Sequence, residues 1–116
     1  MATINLTTED FKNKVFDYTS NEEWNYSGDK PCIIDFYANW CGPCKTLSPI
    51  LDSLSDEYEN VIFYKVNTED EQELSQVFGI RSIPTMLFVP MSDKPQMTQG
   101  ALPKSDIVKV INDILL

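Results

Sequence analysis

Cys41 and Cys44 are the residues best placed to do chemistry, because the run Trp40-Cys41-Gly42-Pro43-Cys44-Lys45 follows directly on the apolar stretch 32–38. Residues 42–58 read as a helix, since Leu47, Ile50, Leu51, Leu54 and Tyr58 recur at the spacing of one buried face. The dithiol therefore falls at a strand-to-helix turn, which predicts a redox site. Cys41 sits at or just before the helix N-terminus, where unpaired backbone N–H groups and the positive end of the macrodipole favour a thiolate. A thiol of ordinary pKa, about 8.5, falls to roughly 7 or below in such a position. That makes Cys41 the nucleophile. Cys44, a turn further in, is expected to be more buried and less acidic, which suits the second step, attack on the mixed disulfide formed by Cys41. Pro43 at an early helical position loses no hydrogen bond, and its fixed φ stiffens the turn.

A Cys-x-x-Cys pair also serves as half of a zinc site. A closed zinc site needs four Cys, His or carboxylate ligands, whereas this chain has three cysteines, no histidine and no second such pair. The metal reading loses on ligand count. Cys32, next to Pro31 at the start of the apolar stretch, reads as a small core hydrophobe. The regulatory-thiol alternative needs an exposed, electropositive site that a buried strand does not supply. Asp35 is the other unusual residue, a carboxylate inside a strand that reads as buried on both faces. Left unpaired there it costs on the order of several kcal/mol or keeps its proton. It needs either an internal partner or a function, and burial without function normally selects an apolar residue.

The elements that must position these groups alternate along the chain. Residues 3–6 form a short strand candidate, and Thr7 caps a helix to about Asp17 with Phe11, Val15 and Phe16 on its apolar side. Residues 18–30 are polar and aperiodic and form a loop whose aromatics Tyr18, Trp24 and Tyr26 are expected to pack rather than to act. Strands follow at about 31–38 and 61–67, then a helix over 70–78 with Leu74, Val77 and Phe78 inward and Gly79 as its stop. A strand at 85–89, turn residues at 92–95, a short edge strand at 96–99 and a last helix opened by Pro103 complete the chain. That helix carries Ile107, Val110, Ile111 and Ile114 on one face. This order predicts an α/β fold with a mixed sheet and helices on both faces. At 116 residues and 42% hydrophobic content, one domain over 1–116 is expected.

The segment Asp35-Phe36-Tyr37-Ala38-Asn39-Trp40-Cys41-Gly42-Pro43-Cys44-Lys45 resembles the active-site segment of the thioredoxin family. Pro49 is expected to interrupt the helix, where that family has a kinking proline, Lys65 follows an apolar strand, and Gly79-Ile80-Arg81-Ser82-Ile83-Pro84-Thr85 resembles the loop carrying the family's cis-proline. Gly100-Ala101 resembles the turn before the last helix, so the likeness runs from about Ile4 to Leu115. Asn39 and Ser82 are mild departures. The resemblance implies a thioredoxin fold, a central mixed five-stranded sheet flanked by four helices. It implies a protein-disulfide reductase in which Asp35 accepts the Cys44 proton through water, with Lys65 on the neighbouring strand as the candidate partner of Asp35. With no histidine in the chain, that carboxylate is the base available near neutral pH. The resemblance further implies a cis Ile83–Pro84 bond close to Cys41. Trp40, Gly42, Pro43, Ile83, Pro84, Gly100 and Ala101 would then form a flat apolar docking patch in which the Ile83 backbone pairs with an extended substrate.

By the same resemblance no cofactor is bound, protein disulfides are the substrates, and electrons arrive from thioredoxin reductase, a separate flavoprotein using NADPH. Composition bears on the remaining partners. With 18 acidic against 9 basic residues the net charge is -9, which argues against nucleic acid and anionic membrane and favours a soluble monomer. The start of the chain has neither a basic n-region nor an apolar h-region, and no run approaches a membrane span. A cytoplasmic setting follows most simply, or a periplasmic one if a leader has been removed. Two rival functions stay open: a disulfide isomerase or oxidant on the same fold, disfavoured by Gly42-Pro43 between the cysteines, and a binding subunit whose dithiol is incidental.

Overall fold

A capping box starts the first helix. The Thr7 hydroxyl accepts the Asp10 N–H at 3.0 Å and the Asp10 carboxylate accepts the Thr7 N–H at 3.2 Å. Two backbone donors that the helix geometry leaves unpaired are thereby satisfied. In the computed structural model, which describes residues 3–116, this helix α1 spans Thr8–Lys14 and follows the short strand β1, Ile4–Asn5. Met1 and Ala2, with which the reading of the chain's start begins, lie outside the described residues. Helix α1 stops short of the expected Asp17 because local side-chain bonds compete with it. The Asp17 carboxylate collects the Thr19 N–H and the Thr19 and Ser20 hydroxyls, while the Ser27 N–H takes the Val15 carbonyl at 2.9 Å.

The loop aromatics pack, as expected. Tyr26 is buried and donates to the Lys30 carbonyl, Trp24 stacks 4.9 Å from Phe16, and Tyr18 lies 6.1 Å from Phe11. Gly28 permits this arrangement, since a Cβ there would overlap the Tyr26 hydroxyl and ring edge.

The chain continues through β2 (Cys32–Tyr37), α2 (Gly42–Glu57), β3 (Ile62–Asn67), α3 (Gln72–Val77), β4 (Thr85–Val89), β5 (Gln96–Gln99) and α4 (Lys104–Val110), which runs on into a π-helical turn at Ile111–Leu115. The sheet order is β1-β3-β2-β4-β5, with β1, β3 and β2 parallel and β4 and β5 antiparallel to their neighbours. Side chains alternate across this sheet. Cys32, Ile34, Phe36, Tyr64, Val66, Leu87 and Val89 pack in one core with Phe11 of α1 and Leu74 of α3. Ile33, Phe63, Met86 and Phe88 pack in the other with Leu47, Leu51 and Leu54 of α2 and Ile107 of α4. By the same alternation Asp35 and Tyr37 belong to the α2 face, at the end of β2 nearest the cysteines.

Three expectations about these helices need correcting. Helix α2 is not interrupted by Pro49 but runs through it. Helix α3 begins at Gln72 rather than 70, because Asn67 Oδ1 accepts the Glu69 and Asp70 N–H groups and holds a turn there. Leu74 is buried and Phe78 packs beside it, but Val77 is 46% exposed rather than inward. One helical step of about 100° separates Val77 from Phe78, and on so short a helix the contact line is set by Leu74 and Phe78. Gly79, at φ +62°, ends the helix as expected.

Candidate active site

The Cys41 side chain caps α2. Its sulfur accepts the Cys44 N–H at 3.2 Å and is joined to Cys44 in a disulfide across a Cα–Cα separation of 5.3 Å, so the structure is that of the oxidised form. The same sulfur lies 3.7 Å from the Ile83 carbonyl oxygen. Cys44 was expected to be the more buried of the two, yet each cysteine is 4% exposed. The N-cap role draws the Cys41 sulfur inward over the first turn, and Ala38 and Ile83 close around it. Position, rather than exposure, distinguishes the two thiols: Cys41 precedes the helix and Cys44 lies inside its first turn.

Ile83–Pro84 is cis. The loop is tied down on both sides, by the Thr85 hydroxyl donating to the Ser82 carbonyl at 2.6 Å and by the Gly100 N–H donating to the Pro84 carbonyl at 2.8 Å. Gly100 reaches that geometry at φ +90°, a backbone conformation in which a Cβ is strained. Of the expected docking patch, Trp40 is 69% exposed, Gly42, Pro43 and Ala101 are exposed, and Ile83 and Gly100 are half-buried. Pro84 is buried and backs this surface instead of lining it. From Trp40 and Ile83 a groove of about 500 Å³ runs along α3, walled by Gln72, Ser75, Gln76 and Arg81. Sequence reasoning did not single out the three helix residues, since polar residues on the outer side of a short helix carry no signal of their own; Arg81 belongs to the loop that the resemblance had covered.

Beneath the dithiol, Asp35 is 1% exposed and neither carboxylate oxygen has a hydrogen-bond partner among the described residues. Burial pushes its pKa up to about 7, opposed by the positive charge of Lys65. Asp35, Cys44 and Lys65 line a common cavity of about 160 Å³, together with Tyr37, Lys45 and Ser48. Such a space is large enough for water and presents several polar groups to it. Lys65 was the expected partner of Asp35, and β3 does set it directly beside Asp35 in the parallel register. Its ammonium turns elsewhere: it donates to Ser48 Oγ at 3.0 Å and lies 4.9 Å from the centre of the Tyr37 ring. The long lysine stem finds a hydroxyl acceptor and an aromatic face at its reach, so the pair shares a cavity without forming an ion pair.

Ser48 and Tyr37 are site residues the sequence reading missed. The available signal was spacing: Ser48 lies one helical turn beyond Cys44, and Tyr37 lies two residues beyond Asp35 on the same face of β2. Cys32 is fully buried, as expected of a core residue, and burial raises its pKa to about 12, against a lowering by its hydrogen bond with Tyr26. Among the described residues, no group of three or more His, Cys, Asp and Glu is placed to hold a metal ion.

A mixed sheet carrying a vicinal dithiol at the N-terminus of a helix, beside a cis-proline loop and above a buried carboxylate, defines a dithiol–disulfide oxidoreductase. Residues 2–113 match the thioredoxin family model. The chain is 54% identical over 111 residues to a thioredoxin of Borreliella burgdorferi, covering 95% of both chains. It is 34% identical over 113 residues to a thioredoxin of Porphyra purpurea, covering 97% of this chain and 96% of the other. Among solved structures it resembles the thioredoxin of Malassezia sympodialis at a TM-score of 0.76 and 30% identity, covering 98% of this chain and 92% of that one. It shares its fold with chloroplastic thioredoxin z at a TM-score of 0.81 and 24% identity, covering 97% and 94% of the two chains. This chain belongs to the thioredoxin family. Its activity is the reduction of protein disulfides by thiol–disulfide exchange.

Proposed function

We propose that Cys41 is the attacking thiolate, Cys44 the resolving thiol and Asp35 the proton acceptor of this reductase. The Cys41 thiolate attacks one sulfur of the substrate disulfide, forming a mixed disulfide and releasing the first substrate thiolate. Cys44 gives its proton to the Asp35 carboxylate through water in the shared cavity. Its thiolate then attacks the Cys41 sulfur, closing the Cys41–Cys44 disulfide and releasing the second substrate thiolate. Two electrons pass from the dithiol to the substrate, and two protons from the protein and solvent complete its thiols. The observation that carries this reading is the placement of a buried, unpartnered Asp35 in the same cavity as Cys44.

Trp40, Gly42, Pro43, Ile83, Gly100 and Ala101 form the surface that receives the substrate, with Pro84 behind it and the Ile83 backbone pairing with an extended client segment. Lys65 tunes the Asp35 charge. The whole chain, 1–116, acts as one such domain and as a monomer, with electrons supplied by an NADPH-dependent flavoprotein, thioredoxin reductase. A cytoplasmic place fits a dithiol that must be kept reduced. No helix among the described residues is long and apolar enough to cross a membrane.

Single-turnover reduction of a chromogenic disulfide separates the steps. Cys44→Ser should accumulate the mixed disulfide on Cys41, and Asp35→Asn should leave its formation intact while slowing its resolution near neutral pH by about 10²-fold or more. Equal trapping by a Cys41→Ser variant through Cys44, or an unchanged resolution rate in Asp35→Asn, would overturn the assignment.

A further inference from the structure

The orientation of Lys65 points to a role for a residue outside the dithiol chemistry. An ammonium on the strand next to a buried carboxylate, in direct register with it, has every electrostatic reason to pair with it. Instead it is held by Ser48 Oγ at 3.0 Å and by the Tyr37 ring at 4.9 Å, and Asp35 keeps two unpartnered oxygens. We propose that Ser48 is a positioning residue: with the Tyr37 ring it holds the Lys65 ammonium away from Asp35 and so keeps the carboxylate free of a counter-ion beside Cys44.

The neighbourhood of Asp35 supports this. From α2, the groups lining its cavity are Cys44, Lys45 and Ser48; from β3, Lys65; from β2 itself, Tyr37. On the other side β4 offers Met86, which carries no charge. Lys45 is exposed, so Lys65 is the one half-buried cation in this set. Its position therefore decides how far burial alone governs Asp35. Removing the Ser48 hydroxyl takes away the hydrogen-bond acceptor holding the ammonium, and the buried carboxylate in register beside it is Asp35, while Asp70 and Glu71 share a second cavity with Lys65 on the side of Asn67.

This inference rests on Asp35 being the base, and the test separates the two ideas because its first readout is not activity. The titration of Asp35 is followed by the 13C shift of its carboxyl carbon in the oxidised protein, in wild type, Ser48→Ala and Ser48→Thr. Alanine is the strongest helix former, so Ser48→Ala retains α2. The Ser48→Ala midpoint should fall by about one pH unit or more, as an opposite charge brought within a few ångströms requires. Ser48→Thr, which keeps the hydroxyl, should titrate like wild type. Tyr37→Leu should lower the midpoint in the same direction as Ser48→Ala. In a Lys65→Met background, Ser48→Ala should have no effect, showing that the coupling passes through the lysine. An unchanged or raised midpoint in natively folded Ser48→Ala, or a shift that persists without Lys65, would overturn the proposal. A lowered midpoint with an unmoved pH profile for mixed-disulfide resolution would support the positioning role of Ser48 while overturning Asp35 as the base.

Discussion

Asp35 makes the stability of the fold depend on pH in a definite direction. Its folded pKa, about 7, lies above the ordinary carboxylate value because burial disfavours the charge. Between about pH 4 and pH 7 the folded state therefore holds a proton that the unfolded chain has lost, and stability falls as pH rises through that window. Asp35→Asn removes the loss. At pH 8 it should raise the unfolding free energy by about 2 to 4 kcal/mol, given about 1.4 kcal/mol per pKa unit, and at pH 4 it should change little. Denaturant titrations at both pH values check this, and a variant no more stable than wild type at pH 8 would exclude a buried, uncompensated charge. The dithiol, the proline and this carboxylate were legible in the sequence because each is a residue type that its surroundings make costly or chemically special. Ser48 was not, since a serine within an amphipathic helix usually means nothing. Only the folded register sets its hydroxyl against Lys65.

Elements were legible where a boundary is enforced by a residue rather than by a gradient of propensity. Strands β4 and β5 fall on the predicted spans, and β2, the start of α2 and the end of α3 follow closely, marked by Pro84, the Cys41 turn and Gly79. The end of α1 and the start of α3 were misplaced because the Asp17 and Asn67 side chains capture nearby backbone donors, a competition invisible to hydrophobic periodicity. Two substitutions test this level. Thr7→Ala removes the reciprocal cap on α1 and should cost about 1 kcal/mol in a denaturation experiment. Gly28→Ala should cost at least as much, because the Cβ meets the Tyr26 ring, which is buried and tethered to the Lys30 carbonyl. A Gly28→Ala protein as stable as wild type would mean that the 18–30 loop does not hold Tyr26 in place.

The whole molecule carries a net charge of -9, and that field acts on every encounter with a client. Reduction of a cationic disulfide peptide should slow as salt is added, and reduction of an anionic peptide of the same length should quicken, because ionic strength screens attraction and repulsion alike. Second-order rates at two salt concentrations decide it, and equal salt dependence for both peptides would rule out steering. One feature of the oxidised form matters at the same scale: each cysteine of the spent disulfide is 4% exposed, tucked against Ala38 and Ile83 while Trp40 stands in solvent beside it. In electrochemical language the couple is a recessed electrode. With the docking face proposed around Trp40, contact with so recessed a couple calls for an incoming surface that fits it, so that shape rather than thiol abundance would decide which circuits this chain closes.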